Sequence, residues 1–402
     1  MPNRPCWVEI STDAIQANYR LLEQVATSDL TNAELPVELL AIVKADAYGH
    51  GLEVVAPAVV HAGARWLGVT SVEEGVATRT VCPDAEILVI SGPFPGQGAA
   101  VLEHRLTPVV WEPWQLDELE AAAPTPRSIS VHLELDTGMS RQGVTANNLD
   151  SLLSHFHSAS PLSLDGLMTH LYAADESDGH ATREQLERLS AMVERITAAG
   201  HKPALLHAGN SAALLVGEVA QSLRNLCGKH TMQPMLRPGL ALYGLAPEFT
   251  PDEPSSITEI RPELQPVLCW KTSIVSLRSL SPGEVIGYNA TFVATEPMRI
   301  ALLAVGYADG LRRALSNRGH VLIGGQQAPI VGRISMDQTV VDVTEIASAA
   351  VGDEVILLGR QGEESISAED HARWAETIPW EIFTGISKRA SRIAVDSSTF
   401  SE

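Results

Sequence analysis

The chain has 402 residues, 45% of them hydrophobic, and a formal net charge of −21. This length predicts two domains, and the acidic balance argues against nucleic acid or an anionic membrane surface as a partner. No apolar run is long enough to span a membrane, and the first residues lack the pattern of a secretory signal, so we expect a soluble cytoplasmic protein. The four cysteines and the histidines show no metal-ligand spacing, which predicts no metal site.

From residue 10 to about residue 244, short apolar runs alternate with amphipathic, helix-like stretches. The runs predict eight strands, at Leu39–Val43, Trp66–Thr70, Ile87–Ile90, Leu106–Val110, Ile129–Leu135, Leu164–His170, Ala204–Ala208 and Leu236–Tyr243. Eight strands with helical connections predict an α/β fold, a (β/α)8 barrel of the TIM type. A doubly wound open sheet is the alternative, although no GxGxxG turn follows the first strand.

Past Gly244 the composition changes. Ala246–Pro266 is rich in Pro, Glu and Ser and indicates a linker with loops. Short runs with β character follow between turn signals, at Val267–Leu277, Arg299–Val305, Gly319–Ile323, Ala328–Val331, Thr339–Val343 and Glu354–Leu358. They predict a second, mainly β domain. We place the barrel at residues 10–246 and the β domain at residues 247–402 together with residues 1–9.

The first barrel strand ends in Lys44, within the segment AIVKADAYGHG at residues 41–51. An amine at the carboxyl end of a buried strand is costly unless it has a partner or a chemical role. A desolvated lysine loses its proton easily and forms Schiff bases with aldehydes. The alternative is a lysine whose ammonium simply reaches the solvent, and this segment alone does not decide between the two.

In a (β/α)8 barrel the active site lies at the carboxyl ends of the strands. The polar residues predicted there are Lys44, Asp136, Thr137, Arg141, His170, His207, Asn210, Ser211 and Arg237, with Gly239 beside them. Taken singly, each is more often a cap or an ordinary loop residue. A hydroxyl and free N–H groups at a helix start suit a phosphate, so a lysine-bound pyridoxal phosphate fits this face. A sugar-phosphate aldolase or isomerase site fits it as well.

Longer motifs along nearly the whole chain resemble those of the alanine racemases, the fold-type III pyridoxal phosphate enzymes. They are AIVKADAYGHG at residues 41–51, LDTGMSRQG at 135–143, MTHLYAADE at 168–176, HAGNSA at 207–212, RPGLALYG at 237–244, GYNATF at 287–292, VGYADG at 305–310 and VGRISMDQ at 331–338. The resemblance implies pyridoxal phosphate as the cofactor, alanine as the substrate, and a homodimer in which the β domain of each chain contributes to the active site of its partner.

The resemblance also implies which residues act on protons. Lys44 would bind the cofactor and carry a proton on one face of the substrate, and Tyr288 of a second subunit would carry a proton on the other face. Racemisation needs two such groups because a proton leaves one face of a planar intermediate and returns to the opposite face. Free amines and phenols have pKa values of about 10, so both must be shifted by nearby positive charge to act as bases near neutral pH.

The remaining roles implied by the resemblance concern binding. Tyr48, Ser211 and the Gly239 backbone would hold the cofactor phosphate, and Asn210 would also belong to the cofactor site. Arg237 would face the pyridine nitrogen, with His170 supporting it. The substrate carboxylate would be met by Arg141 and shaped by Met336 and Asp337 of the second subunit, with Tyr307 lining the entry.

Three positions differ from the usual family pattern. Glu134 stands where many relatives have a lysine that carries a carbamate, and its carboxylate would orient Arg141 without carbon dioxide. Ser335 replaces a cysteine, with little expected consequence. Trp380, assigned to the cofactor site, replaces a tyrosine whose hydroxyl binds the phosphate. Tryptophan offers one donor and no acceptor, so it cannot reproduce that contact.

The function implied is interconversion of L-alanine and D-alanine, with D-alanine supplied for peptidoglycan. A serine or broad-specificity racemase is the first alternative, because Trp380 changes the pocket. A non-catalytic protein that carries pyridoxal phosphate is the remote alternative, and the β domain with Tyr288 argues against it.

Overall fold

The computed structural model describes residues 4–27, 35–123, 125–126, 128–252 and 254–396. Two compact units divide the chain. We call them the barrel unit, Ile15–Ala45 with Val55–Gln265, and the β unit, Met1–Ala14 with Asp46–Val54 and Pro266–Glu402. The short segment Asp46–Val54, which begins two residues after Lys44, groups with the β unit, whereas the strands before and after it along the chain lie in the barrel unit. The domain boundaries given above stay a prediction.

The barrel unit contains a closed barrel of eight parallel strands, which confirms the predicted fold class. In order around the barrel the strands are Glu38–Ile42, Trp66–Val69, Glu86–Val89, Thr107–Val110, Ile129–Glu134, Leu162–Met168, Leu205–His207 and Gln233–Leu236. We refer to them as barrel strands one to eight. Their apolar residues are almost all buried, as expected where helices cover a parallel sheet.

The eighth strand was predicted too late in the sequence. The strand ends at Leu236, and Leu240–Tyr243, the second half of the predicted run, forms a 3₁₀ helix. Pro238 and Gly239 lie between the two, and Gly239 turns the chain with φ −119° and ψ −87°. An apolar run does not by itself distinguish a buried strand from a buried helical turn.

Helices connect the barrel strands and cover them. They are Thr12–Thr27, Leu52–His61, Val72–Val81, Gly98–Glu103, Pro113–Ala122, Leu149–Leu153, His180–Ala198, Ser211–Val216 and Glu218–His230. The predicted linker contains a further helix, Ser255–Ile260. Asn18 holds the end of this unit, because its amide donates to the carbonyls of Leu242 and Gln265 and accepts from the Gln265 N–H. Among the described residues, no helix is both long and apolar enough to cross a membrane.

The β unit is built on a nine-stranded sheet, as the predicted mainly β domain requires. Its main path runs Gln326–Pro329, His320–Ile323, Glu354–Gln361, Leu268–Leu280, Cys6–Ser11 and Ser391–Val395; Met298–Leu303, Thr339–Asp342 and Glu364–Ile366 pair off this path. Val285–Ile286 and Phe292–Val293 form a separate hairpin. The helices Ala368–Ala375 and Pro379–Gly385 come before the last sheet strand, Ser391–Val395, along the chain.

Candidate active site

Lys44 begins a left-handed helical turn. The turn spans Lys44–Tyr48, and its last four residues have φ of 53°, 54°, 53° and 54°. Left-handed backbone costs about 1–2 kcal/mol for each residue that carries a Cβ, so this turn holds roughly 4–8 kcal/mol of strain. Such strain persists only where the surroundings fix it, and it is concentrated at functional sites.

Hydrogen bonds on both sides of the turn hold it in place. Glu74 accepts from the N–H of Ala45 at 2.8 Å and from the N–H of Thr70 at 2.8 Å. Within the β unit, Asp46 accepts from the N–H of Leu52 at 2.8 Å. The end of barrel strand one and the direction of the Lys44 side chain are thereby fixed.

The environment of Lys44 favours its neutral form. Burial lowers the pKa of the Lys44 amine, and the positive charges of Arg141 and Arg237 lower it further, while Glu74 opposes the shift. A lowered pKa makes the neutral, nucleophilic form of a lysine easier to reach. Of the two interpretations that the sequence left open, the covalent role is the one that this environment supports.

Arg237 follows barrel strand eight and is buried. Its Nη2 donates to the Thr169 carbonyl at 2.9 Å and lies 3.2 Å from His170 Nδ1, and its Nη1 lies 3.4 Å from His207 Nδ1. Burial lowers its pKa to about 10, and the Glu134 carboxylate opposes that shift. The guanidinium therefore stays a cation at neutral pH, held by three acceptors.

His170 is part of the same group. Burial, together with the charges of Arg237, Arg141 and Lys44, lowers the pKa of His170 to about 3. The ring is therefore neutral at pH 7. Because arginine only donates, the His170 Nδ1 atom is the acceptor, and the ring carries its hydrogen on Nε2.

Glu134, at the end of barrel strand five, is buried and accepts a hydrogen bond of 2.5 Å from Gln142 Nε2. Burial raises its pKa, whereas the Gln142 bond and the charges of Arg237 and Arg141 oppose the rise. The carboxylate thus lies close enough to both arginines to interact with them electrostatically. Its direct hydrogen bond is to Gln142, and the role assigned to Glu134 in orienting Arg141 stays a prediction.

Asn210 and Ser211 start the helix after barrel strand seven. Asn210 caps that helix by accepting from the Ala213 N–H at 3.2 Å. The Ser211 hydroxyl oxygen accepts from the N–H groups of Gly239 at 3.0 Å and Ala241 at 3.2 Å. Because that oxygen only accepts in these bonds, the hydroxyl hydrogen remains available for a ligand oxygen.

Tyr288, Tyr307 and Met336 lie in the β unit and are unusually exposed for large apolar side chains, at 69%, 43% and 53%. Tyr288 starts a 3₁₀ turn after Gly287, at the tip of the hairpin formed by Val285–Ile286 and Phe292–Val293. The sequence assigned all three to the active site of a second subunit. Solvent-facing aromatic and methionine side chains are typical of surfaces that bind a partner.

The structure brings Tyr307, Met336 and Asp337 together. The N–H of Tyr307 donates to the Ser335 carbonyl and the N–H of Ala308 to the Met336 carbonyl, both at 3.0 Å. Asp337 accepts a 2.7 Å bond from Arg389, whose Nε also lies 3.4 Å from Asp309. The loops at residues 306–310 and 335–338 are therefore joined by backbone bonds and by one arginine.

We call this connection between the loops at residues 306–310 and 335–338 the joint. Asp309 is the buried residue at its centre, and the sequence analysis did not identify it. Its carboxylate accepts two bonds from Arg4, at 2.6 and 2.8 Å, and a third from the Gly306 N–H at 2.9 Å. A bidentate arginine fixes both the position and the orientation of a carboxylate. Asp309 carries no chemistry of its own here and positions the two loops.

Tyr48 and Trp380 belong to neighbouring segments of the β unit. Arg392 donates to the Gly49 carbonyl from Nε and Nη2, and a Cβ on Gly49 would lie 2.2 Å from the Phe383 carbonyl oxygen. The turn after Tyr48 therefore packs directly on the helix Pro379–Gly385, which begins with Trp380. Burial raises the pKa of Tyr48 to about 12, so its phenol keeps its proton.

Two further residues in the barrel were missed, His132 and Gln142. His132 is fully buried, and its Nδ1 lies 2.8 Å from Nε2 of the equally buried His207, which the sequence analysis did place at this face; Gln142 donates to Glu134. His132 precedes Glu134 by two residues on barrel strand five, and residues two apart on a strand share a face. This alternation was the available signal.

Comparison with known proteins identifies the family to which the chain is related. The family model for the alanine racemase N-terminal domain matches residues 10–247, and that for the C-terminal domain matches residues 267–394. The alanine racemase of Symbiobacterium thermophilum is 39% identical over 394 residues, which is 97% of each chain. That of Halothermothrix orenii is 39% identical over 390 residues, 97% of this chain and 96% of the relative.

Solved structures match over almost the same length. Alanine racemase from the D-cycloserine producer Streptomyces lavendulae has a TM-score of 0.86 at 30% identity, covering 99% of this chain and 98% of that one. The Bartonella henselae enzyme, solved with covalently bound pyridoxal phosphate, has a TM-score of 0.80 at 27% identity, covering 97% and 99%.

The fold and the comparisons define an isomerase built on a (β/α)8 barrel, with a buried lysine at the carboxyl end of its first strand. The chain belongs to the alanine racemase family, and pyridoxal phosphate is its cofactor. The residues present fit that group: Lys44 offers a buried amine with a lowered pKa for the aldehyde. Arg237 offers a buried, fixed cation, and Ser211 offers a free hydroxyl hydrogen for a phosphate oxygen.

Proposed function

We propose that the chain interconverts L-alanine and D-alanine as a homodimer, with Lys44 of one subunit and Tyr288 of the partner subunit moving the α-proton on opposite faces. The observation that carries this proposal is the buried Lys44 amine, whose pKa is lowered by burial and by two arginines. When bound, pyridoxal phosphate supplies an electron sink for the negative charge that develops at the α-carbon. The protein must then supply two opposed proton carriers.

The barrel side chains position the reactants and hold charge. Lys44 is fixed at its strand end by the left-handed turn, so its Nζ stays on one face of the substrate. Arg237 donates hydrogen bonds and does not give up its proton, which keeps the cofactor ring a moderate electron sink and limits transamination. Arg141, exposed at the same end of the barrel, supplies positive charge for the substrate carboxylate.

The second proton carrier is proposed to come from a partner because of where Tyr288 lies. Tyr288 is 69% exposed, on a hairpin tip with Val285 and Val293, which are also exposed. Met336 and Tyr307 are further exposed side chains of the same unit. A surface of this composition supports pairing with a second copy in a closed two-fold dimer.

A complementation experiment tests the shared site. The variants Lys44→Ala and Tyr288→Phe are each expected to be inactive, because each dimer lacks one proton carrier at both sites. Co-expression of the two yields mixed dimers, in which one site contains both an intact Lys44 and an intact Tyr288. The mixture should recover activity in about a quarter of all sites if subunits pair at random.

Two controls make the outcome decisive. Differently tagged variants, purified through both tags in sequence, give the mixed dimer alone, and its cofactor absorbance reports whether the intact Lys44 is loaded. Tyr172→Phe, an exposed tyrosine of the barrel unit, should behave as the wild type. An inactive but loaded mixed dimer would show that Tyr288 does not act in the partner's site.

The biological role proposed is the supply of D-alanine for peptidoglycan in the cytoplasm, which rests on the family alone. A serine or broad-specificity racemase is a second candidate because of Trp380. The tryptophan lies at the start of the helix Pro379–Gly385 and is half-buried, and its indole N–H can donate but not accept. Growth of a deletion strain with and without added D-alanine tests the role directly.

A further inference from the structure

Two buried imidazoles, those of His207 and His132, form a hydrogen-bonded chain that begins at Arg237 within the barrel unit. His207 Nδ1 lies 3.4 Å from Arg237 Nη1, and His207 Nε2 lies 2.8 Å from His132 Nδ1. Both histidines are fully buried, and their rings contact each other edge to face. The chain joins barrel strand five, strand seven and the residue that follows strand eight.

Because the Arg237 guanidinium can only donate, it determines which ring nitrogen carries the hydrogen in His207 and then in His132. Arginine has no acceptor atom, so the Nδ1 of His207 must accept from Arg237 and its hydrogen must lie on Nε2. That Nε2–H then donates to the Nδ1 of His132, which leaves the His132 hydrogen on Nε2. The His132 Nε2 atom has no hydrogen-bond partner among the described residues.

The alternative arrangement of hydrogens would disrupt the site. A His207 ring with its hydrogen on Nδ1 would point an N–H at the Arg237 guanidinium, which also presents only N–H groups. A doubly protonated ring would add charge repulsion to the same conflict. Burial lowers the pKa of His132 to about 3 and, with His132 and Arg237, that of His207 well below its ordinary value, so both rings are neutral at pH 7.

The His132 ring occupies space that is open only because the neighbouring residue on barrel strand six is a glycine. A Cβ on Gly166 of barrel strand six would lie 2.6 Å from the Cγ, Nδ1 and Cε1 atoms of the His132 ring. His132 pairs with Gly166 in the parallel register, directly after an irregularity between Val131 and His132. Trp66 of barrel strand two packs against the ring at a centroid distance of 5.7 Å. The ring is therefore held with its Nδ1 atom toward His207.

We propose that His132 is a positioning residue for Arg237: by accepting from His207 it fixes the only His207 tautomer that can accept from the guanidinium. This inference rests on the proposed function for its effect on catalysis, because Arg237 must contact the cofactor for its position to matter. The hydrogen-bond chain itself does not depend on that function.

The test compares His132→Leu with His132→Asn. Leucine and asparagine have nearly the same shape, so both variants leave the same space behind the missing ring. The asparagine Oδ1 lies near the place of the histidine Nδ1 and can accept from His207, whereas leucine cannot. The difference between the two variants isolates the acceptor from the packing.

Two readouts are made on the holoenzyme. The first is the 15N spectrum of histidine-labelled protein, in which the two imidazole tautomers differ; His132→Leu should change the His207 signals and His132→Asn should preserve them. The second is steady-state racemisation of L-alanine. Misplacement of a contacting group by 1 Å costs about 10²-fold in rate, and we expect roughly a 10-fold loss of kcat in His132→Leu, an almost unchanged KM, and near-normal kcat in His132→Asn.

Two further variants control for misfolding and for the general effect of removing a buried histidine. Gly166→Ala displaces the ring without removing its nitrogens and should lower kcat in the same direction as His132→Leu. His371→Leu removes another buried histidine, bonded to the Leu357 carbonyl in the β unit, and should lower thermal stability without lowering kcat.

The outcomes are separable. Equal kcat in the leucine and asparagine variants, or unchanged His207 signals in both, would overturn the positioning role. A wild-type chain that loads the cofactor but racemises no amino acid would instead refute the proposed function, and the nitrogen spectra would still decide the tautomer.

Discussion

Replacing Gly306 with alanine tests whether the joint between two loops of the β unit positions the residues assigned to the partner's site. Gly306 has φ −150° and ψ −165°, extended backbone that alanine adopts freely, so the substitution brings no dihedral strain. The added Cβ would lie 2.4 Å from the Ser335 oxygen and 2.5 Å from the carbonyl carbon and oxygen of Met336. All three are backbone atoms, which cannot rotate away.

The size of the effect follows from these distances. Ordinary contact begins near 3.4 Å, so the loop at residues 335–338 must retreat by about 1 Å. The bonds from Tyr307 N to Ser335 O and from Ala308 N to Met336 O, now 3.0 Å, would then exceed hydrogen-bonding distance. Two lost bonds cost about 2 kcal/mol of stability. A displacement of this size in a substrate pocket costs up to about 10²-fold in kcat/KM.

The assay is the kcat/KM for racemisation of L-alanine, read by circular dichroism, together with the thermal denaturation of the holoenzyme. Gly228→Ala is the matched control. Gly228 lies inside the helix Glu218–His230 with no atom within 4 Å of an added Cβ, and alanine there should stabilise by up to about 1 kcal/mol. If Gly306→Ala kept wild-type kcat/KM and melted with the wild type, the joint would not position the pocket.

Three further predictions concern the cofactor, the substrate and pH. Arg237→Glu should raise transamination relative to racemisation, because a carboxyl group can protonate the pyridine nitrogen and strengthen the electron sink; an unchanged ratio of pyruvate to D-alanine would count against that role. Turnover of L-serine beside L-alanine should be measurable in kcat/KM if Trp380 broadens the range of substrates, and negligible serine turnover would show that it does not. Burial lowers the pKa of His371 from 6.5 to about 4, although its bond to the Leu357 carbonyl opposes the shift. The unfolded chain therefore binds the proton first, and stability should fall by about 1.4 kcal/mol per pH unit between pH 6.5 and 4 from this residue; urea midpoints that fall equally in wild type and His371→Gln would contradict this.

The barrel could be predicted from the sequence because each buried strand is visible as a short apolar run. Seven of the eight strands appear as apolar runs that end within a few residues of a polar group, and Lys44 ends the first of them. The eighth failed because Leu240–Tyr243 has the same apolar composition as a strand but follows the turn at Pro238 and Gly239. Composition could not reveal that change of direction.

Much of the site was beyond sequence reasoning for a physical reason. The left-handed turn after Lys44 contains alanine, aspartate and tyrosine, none of which favours positive φ, so only the surrounding contacts impose it. The three hydrogen-bond partners of Arg237 come from the ends of two different strands, and the contact of His132 with His207 spans 75 residues. Motif resemblance supplied the residues predicted to touch the ligand, while the residues that hold those side chains in place were found only from the geometry.

The strand Cys6–Ser11 is synthesised early, but both strands with which it pairs are synthesised much later. This strand pairs on one side with Leu268–Leu280 and on the other with Ser391–Val395. The ribosome makes the amino-terminal strand first, yet its nearer neighbour emerges some 260 residues later, about 13 to 50 s at usual elongation rates. During that interval a segment with four consecutive buried residues in its final state has neither neighbour, whereas every strand of the barrel can already close. The first strand of the chain can therefore pair with both of its neighbours only once synthesis is almost complete.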